Sequence, residues 1–465
     1  MVFSGSYRVV AAAAAALFCL AVQPAHAGGL TLSESVRLAV ENHPRVGEAA
    51  AERRIADAQL RQQTGRYLPT LDVSGFIGEQ FVDRPNSLAL ASNANWQSNK
   101  QFDSRAQLVL FNGFDRANAV YGQIARINAS AIRVLEQSEL VALETVEAYL
   151  DVMRHREILA VARRSIATHQ EYLSQIQTAF AGGRAPAGDV AQARERLAAV
   201  RTIVGDVLRA LGVVEAQFIN LVGRKPGRLH GVRYPKGIPH QLQTAIDRAR
   251  ANHPALAATQ SDIDALERDR ARVDSDFLPR VTLDSAATLG EDLDGVQGRN
   301  NDFSFRLGAS WNLFNGGIDA ARKDEQNERI VAEQIRLDRL RLDVDQAVRE
   351  AWVTMGAIDQ RIHALRNQIE AARALIEAYR EEYDAGLRDY LDLLNAEGNR
   401  FNAQIELASA ETIALFARFE TIAAMGVLVR HFGVGTAFEA EPMAEPASAH
   451  GYAFGQGLNI KPLTE

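Results

Sequence analysis

The chain has 465 residues, room for two domains or one large core, and a charged fraction of 23%, ordinary for a folded protein. Its 51 basic and 58 acidic side chains give a formal net charge of −7, with no basic patch dense enough to suggest a nucleic-acid surface. The one cysteine, Cys19, falls within the first twenty residues, so disulfides and thiolate metal sites are excluded from the rest of the chain.

Residues 1–27 carry Arg8, an apolar run from Val9 to Val22, and Ala25-His26-Ala27. A positive start, a short apolar core and an A-x-A site predict a secretory signal cleaved after Ala27. Loss of Arg8 would take the net charge from −7 to one unit lower, −8. Cys19 follows Phe18 rather than a small residue, so lipid attachment at that cysteine is not expected. No later run is apolar enough for a transmembrane helix, which needs about 20 residues. Any membrane contact must come from strands.

From Thr31 to about Gly65, Leu32, Val36, Ala39, Val40, Ala49, Ala56 and Leu60 recur at helical spacing, with Thr31 or Ser33 as caps. Asn42-His43-Pro44 interrupts the pattern, because proline lacks a donor and disfavours helix in the residue before it. After Leu68-Pro69 the period falls to two: Leu71, Val73 and Ile77 alternate with Asp72, Ser74 and Gly78. This predicts a hairpin over 68–112, with a polar tip from Asp83 to Lys100. A long helix over 115–181 follows. Val141, Thr145, Ala148, Val152, His155, Leu159, Ala162, Ile166, His169, Leu173, Ile176 and Phe180 form its heptad seam. His155 and His169 read as packing residues on that seam rather than as a metal or pH-sensing pair. A return helix is expected over 189–222, and the Gly- and Pro-rich stretch 223–239 reads as a linker.

The same order then recurs. Asn252-His253-Pro254 and Leu278-Pro279 repeat their counterparts at a shift of 210 residues. Leu313-Phe314-Asn315-Gly316, Tyr383, Gly386 and Asp392 repeat Leu110-Phe111-Asn112-Gly113, Phe180, Gly183 and Asp189 at a shift of 203. Self-similarity on this scale is a duplication rather than a solenoid period. The first repeat covers 28–222 and the second 240–430, with a hairpin over 278–315, a long helix over 318–384 and a return helix over 391–430. The second hairpin alternates Phe303, Phe305, Leu307, Ala309, Trp311 and Leu313 with polar residues, and its tip runs from Glu291 to Asp302. Asp292-Leu293-Asp294-Gly295 lacks the spacing of a calcium loop and reads as surface. The second long helix carries its own seam from Val344 to Tyr383, and the return helix two adjoining apolar stripes, as for a helix with two neighbours in a ring. The tail, 431–465, lacks periodicity and is expected to be loosely ordered.

Strands of about ten residues with one apolar and one polar face fit a membrane β-barrel, but four cannot close one, since the known minimum is about eight. A soluble sandwich shows the same alternation. If the strands span a membrane, several chains must share a barrel, with Phe314 and Trp311 near an interface, where Trp311 could equally be a packing residue. Each long helix would extend roughly 100 Å at about 1.5 Å per residue. No H-E-x-x-H, P-loop or G-x-S-x-G motif points to an enzyme.

Signal sequence, duplicated long helices, Leu-Pro before each hairpin, Leu-Phe-Asn-Gly after it and Tyr-x-x-Gly at the helix turn together resemble the TolC family of outer-membrane efflux and type I secretion channels. The resemblance covers nearly the whole mature chain to about residue 430. It implies an α+β fold. A homotrimer would share one twelve-stranded β-barrel in the outer membrane of a Gram-negative bacterium, continued by an α-helical periplasmic barrel with coiled-coil packing. It also implies a conduit without catalysis, cofactor or metal. Its partners would be a periplasmic adaptor protein, an inner-membrane ABC or other pump, outer-membrane lipid, and an exported protein or small molecule. Type I protein secretion is the first expectation, multidrug or small-molecule efflux the second, and a non-channel periplasmic scaffold a remote third. By the same resemblance Asp189, Tyr383 and Arg388 would be links that hold the periplasmic entrance shut, and Asp392 would form an acidic entrance ring. Asn395 stands where a second acidic residue is expected, and Gly188 where a hydroxyl often assists the links. Asp189 and Asp392 also lie where carboxylates cap helices.

Overall fold

The computed structural model describes residues 29–82, 95–293 and 298–443. The expected signal peptide, the centre of the first hairpin tip, Asp294-Gly295 and the tail beyond 443 lie outside the described residues. Helix α1 (Leu32–Asn42) gives way to α2 (Pro44–Gly65) at His43. Thr31 accepts a hydrogen bond from Glu34 N, satisfying one open donor of the first turn. Strands β1 (Thr70–Val82) and β2 (Asn95–Asn112) lead into α3 (Asp115–Ala181) and α4 (Ala187–Val222). The second half repeats this order with α5 (Leu242–Asn252), α6 (Pro254–Val273), β3 (Arg280–Glu291), β4 (Arg299–Ser310), α7 (Ile318–Asp384) and α8 (Tyr390–Ala424). A short α9 (Leu428–His431) and a 3-10 turn (Phe438–Ala440) follow.

The two hairpins fuse into one antiparallel sheet, ordered β1-β2-β3-β4. Paired residues of an antiparallel ladder share a face. Leu71↔Ala106, Gly75↔Phe102, Phe102↔Leu289, Leu283↔Leu307 and Ala287↔Phe303 therefore build one apolar face, while Asp72↔Arg105, Asp103↔Thr288 and Asp284↔Arg306 build the polar one. A bulge at Leu110 interrupts the alternation of β2. The apolar face is bare within the protomer, with Ile77, Phe303, Phe305 and Leu307 all exposed.

Several boundaries differ from the sequence reading. Strand β2 takes in residues 95–100 and β4 residues 299–302, which the sequence pattern places in the polar tips. Strand β4 stops at Ser310, short of the expected Trp311 and Leu313. Its partner runs out: the pair after Arg280↔Ser310 would be Pro279, which has no N–H to donate, and Trp311 Nε1 instead donates to Phe277 O at 3.1 Å. Helix α4 starts two residues earlier than expected, at Ala187. Helix α8 ends at Ala424 rather than at 430 because Gly426 adopts φ +69°. A Cβ at Gly426 would come within 2.8 Å of Asn252 O, so a close chain approach fixes this break. Ile176 is buried as expected on the seam, but Phe180 is 48% exposed, and Tyr172 and Ala179, each one residue before an expected member, are buried instead. A heptad pattern drifts about 20° per repeat on a straight helix, and here the drift carries the last member outward.

The linker and the described tail are docked rather than loose. Leu229, Val232 and Ile238 pack against the main core, and Tyr149 OH accepts from His230 N at 2.9 Å. Ala437, Ala440 and Met443 occupy the groove between α2 and α3, and Arg54 pairs with Glu439 at 2.5 Å. The main core lies at mid-length, where Tyr149, Phe218, Ile246, Val348 and Ile422 meet. From it α2, α3, α6 and α7 run towards the sheet, and α3, α4, α7 and α8 towards a tip of two helical turns.

Candidate functional site

Both helical turns at the tip are set by glycine. Gly183 (φ +72°) follows α3 and Gly386 (φ +77°) follows α7; each backbone is left-handed, which any side chain would resist. Arg184 N donates to Ala179 O at 2.8 Å and Leu387 N to Glu382 O at 2.9 Å, so both turns close in the same way. This is the physical content of the Tyr-x-x-Gly signature: an aromatic on the last helical turn, and the residue that can end it.

Beneath the turns Tyr172, Ile176, Val190, Tyr390, Leu393 and Leu394 form a compact apolar cluster, with Tyr379 and Tyr383 at its margin. Tyr383 and Tyr390 meet edge to face with centroids 4.2 Å apart, and Tyr390 meets Tyr172 at 5.7 Å. Burial, then the neighbouring Tyr383 and Tyr172, raises the Tyr390 phenol far above its ordinary range. Tyr172 OH donates to Glu397 at 3.3 Å, and Arg400 pairs with the same carboxylate at 2.7 Å.

Arg388 lies across the second turn. It ion-pairs with Glu382, donates to Asp392 Oδ2 at 2.8 Å, and its guanidinium sits 4.0 Å from the Tyr379 ring centroid. Asp189 and Asp392 both occupy the first turn of their helices, on the favourable side of the dipole, but neither helix has a side-chain cap. Asp189 is only 8% exposed, and burial together with the nearby Asp389 carboxylate raises its pKa. Within one protomer no hydrogen bond or ion pair joins Asp189 to Tyr383 or Arg388. The four residues singled out from the sequence thus gather at one end, but Asp392 pairs with Arg388 rather than standing apart from it. Glu382, Tyr379, Tyr390 and the Tyr172–Glu397 pair were missed. Glu382, six residues before Arg388, and Glu397, five after Asp392, carried charges that could have drawn notice.

The seam histidines are occupied by their own helix: His155 Nδ1 lies 2.8 Å from Asp151 O, and His169 Nδ1 2.8 Å from Ser165 O. No group of three metal-ligating side chains occurs among the described residues. At the sheet end, Asp292 Oδ1 accepts from Gly298 N at 2.7 Å.

Comparison with known proteins gives this arrangement its family. The outer membrane efflux protein family matches residues 36–224 and 245–426, the two repeats in turn. The chain belongs to that family. Among its relatives, the outer membrane efflux protein BepC of Brucella suis biovar 1 (strain 1330) is 25% identical over 401 residues, covering 85% of each chain. The alkaline protease secretion protein AprF of Pseudomonas aeruginosa is 26% identical over 401 residues, covering 82% of this chain and 81% of its own. The crystal structure of the Campylobacter jejuni channel CmeC superposes with a TM-score of 0.74 at 15% identity, covering 89% of this chain and 90% of the other. That of VceC from Vibrio cholerae gives 0.71 at 16%, covering 87% and 97%. The chain is thus a TolC-like outer-membrane efflux channel component and not an enzyme. Its sheet is the membrane segment, and its long helices form the periplasmic part.

Proposed function

We propose that three copies of this chain close a twelve-stranded barrel and serve as the exit duct of a type I protein secretion system. A periplasmic adaptor and an inner-membrane pump would engage the helical tip. The observation that carries the assembly is the sheet itself: four strands, one largely apolar face and two unpaired edges, β1 and β4. In lipid each unpaired backbone group costs several kcal/mol, so those edges must meet the edges of other copies. A scaffold without a channel would leave the apolar face without a role.

Protein rather than drug as cargo is supported by the likeness to AprF and by Phe18 preceding the lone cysteine. Small-molecule efflux is the second reading, favoured by the likeness to BepC and to the solvent efflux pump outer membrane protein SrpC of Pseudomonas putida. At the tip, Arg388, Glu382 and Asp392 would form a latch on the second turn, with Tyr383 packed beside it against Tyr390. Deleting the gene and assaying a secreted protein beside dye and antibiotic sensitivity separates the cargoes. Loss of secretion with unchanged sensitivity is expected; the opposite pattern makes the chain a drug outlet.

A further inference from the structure

Where the sheet meets the helices, an open cavity of about 790 Å3 lies on the polar side. Thr70, Gln107, Arg280 and Ser310 line it from the bases of all four strands, and each belongs to the polar face of the register. The ends of α2, α3 and α6 close it from below. The lining holds six arginines against three aspartates.

The aspartates are already taken. Asp115 is held by Arg66 at 2.5 Å and by Arg272 at 2.9 Å, Asp269 by Arg126 and by Arg272 at 3.6 Å, and Asp276 by Arg322 at 3.6 Å. Arg329 pairs outside the lining, with Glu325 at 2.6 Å. Two cations of the lining remain without a carboxylate. Arg280 makes no ion pair among the described residues. Arg116, only 8% exposed, donates to Leu110 O at 3.1 Å and lies 4.5 Å from the Tyr67 ring centroid, while its Nε has no partner. Burial above all holds the Arg116 guanidinium below its ordinary range; Tyr67 and Asp115 oppose the shift, and Arg66 and Arg280 add to it. An anion entering this basin would relieve that repulsion, and guanidinium forks match phosphate and carboxylate oxygens two at a time.

We propose that this arginine basin binds anionic groups, phosphate or carboxylate, of solutes moving along the polar face of the sheet. The inference rests on the duct reading, which would place three basins around the passage just below the membrane segment. Such sites would raise the local concentration of acidic cargo at the entry to the barrel.

Calorimetric titration of the purified full-length protein in detergent, with inorganic pyrophosphate and with citrate, tests it directly. Arg280 is exposed, so R280Q should fold normally, and it should weaken binding about tenfold, the worth of one charge-assisted hydrogen bond. N312D, which adds a negative charge to the lining, should weaken it as well. The ratio of the two probes names the preferred anion. No binding of either probe, or binding that both variants leave unchanged, overturns the basin. Single-channel recordings on the same preparations report on the duct separately: conductance without anion binding removes the basin and leaves the duct standing.

Discussion

Helices α3 and α7 are equal in length, 67 residues each, and stand at corresponding positions of the two repeats, yet α3 buries 28 residues within the protomer and α7 nine. Helix α3 runs through the centre, flanked by α1, α2, α4, α6 and α8. Helix α7 packs mainly on α5, α6 and α8 and leaves a stripe of Val331, Ile335, Leu342 and Val353 bare, the last three 64%, 68% and 66% exposed. Steps of four, seven and eleven residues keep all four on one helical face, within about 40° of each other. Duplication thus supplied two like rods, and their burial differs because one finds its neighbours within the chain and the other lacks them. The stripe on α7 and the open edges of the sheet ask for the same thing, another copy.

Breaking the stripe should have the largest effect. I335D with L342D places two carboxylates on the bare face of α7, and we expect loss of the trimer in native gels of the outer-membrane fraction, with monomer secondary structure kept by circular dichroism. An intact trimer would mean that the stripe faces solvent.

Changes inside the α3 core should lower stability without altering assembly. Glu139 is buried on α3 and accepts from Leu428 N at 2.8 Å and Val429 N at 3.1 Å. Burial, partly offset by these two donors, raises its pKa from 4.5 to about 7. The folded state therefore keeps a proton that the unfolded chain has lost. Its contribution is full below about pH 4.5 and declines as pH rises through about 7, by on the order of 3 kcal/mol. Thermal unfolding from pH 5 to 8 should show this decline, and E139Q should flatten it; an equally steep profile in E139Q would assign the decline to other groups. Tyr149 OH lies 2.9 Å from Leu30 O and also serves His230. Y149F should cost about 1 kcal/mol, the net worth of a hydrogen bond to partly buried backbone groups, and denaturant midpoints measure this.

The smallest effect on stability belongs to the tip. R388S should leave unfolding almost unchanged yet raise conductance in planar bilayers several-fold. Because Arg388 and Asp392 pair, D392A added to R388S should change conductance less than D392A alone. Unchanged conductance in R388S would mean that Arg388 holds nothing shut.

Much of this was legible in the sequence where local chemistry decides the outcome. The bounds of α3 and α7, the restarts at Pro44 and Pro254, and the switch to strands after Leu68-Pro69 follow from proline, glycine and apolar period. What was not legible depends on pairs distant in sequence. The end of β4 depends on Pro279 across the ladder, and the break after α8 on Asn252 beneath Gly426. The docking of Met443 needs its bond from N to Asn128 Oδ1, and the tyrosine cluster at the tip needs α3, α7 and α8 in place. At the candidate latch, charge marked Arg388 and Asp392, while their mutual pairing appeared only once the turn was folded.

Native mass spectrometry of the full-length protein, extracted from outer membranes in mild detergent, tests the central claim most directly. The bare face of α7 and the open edges β1 and β4 predict an assembly of three chains. A stable species of one chain that still inserts into bilayers would contradict it.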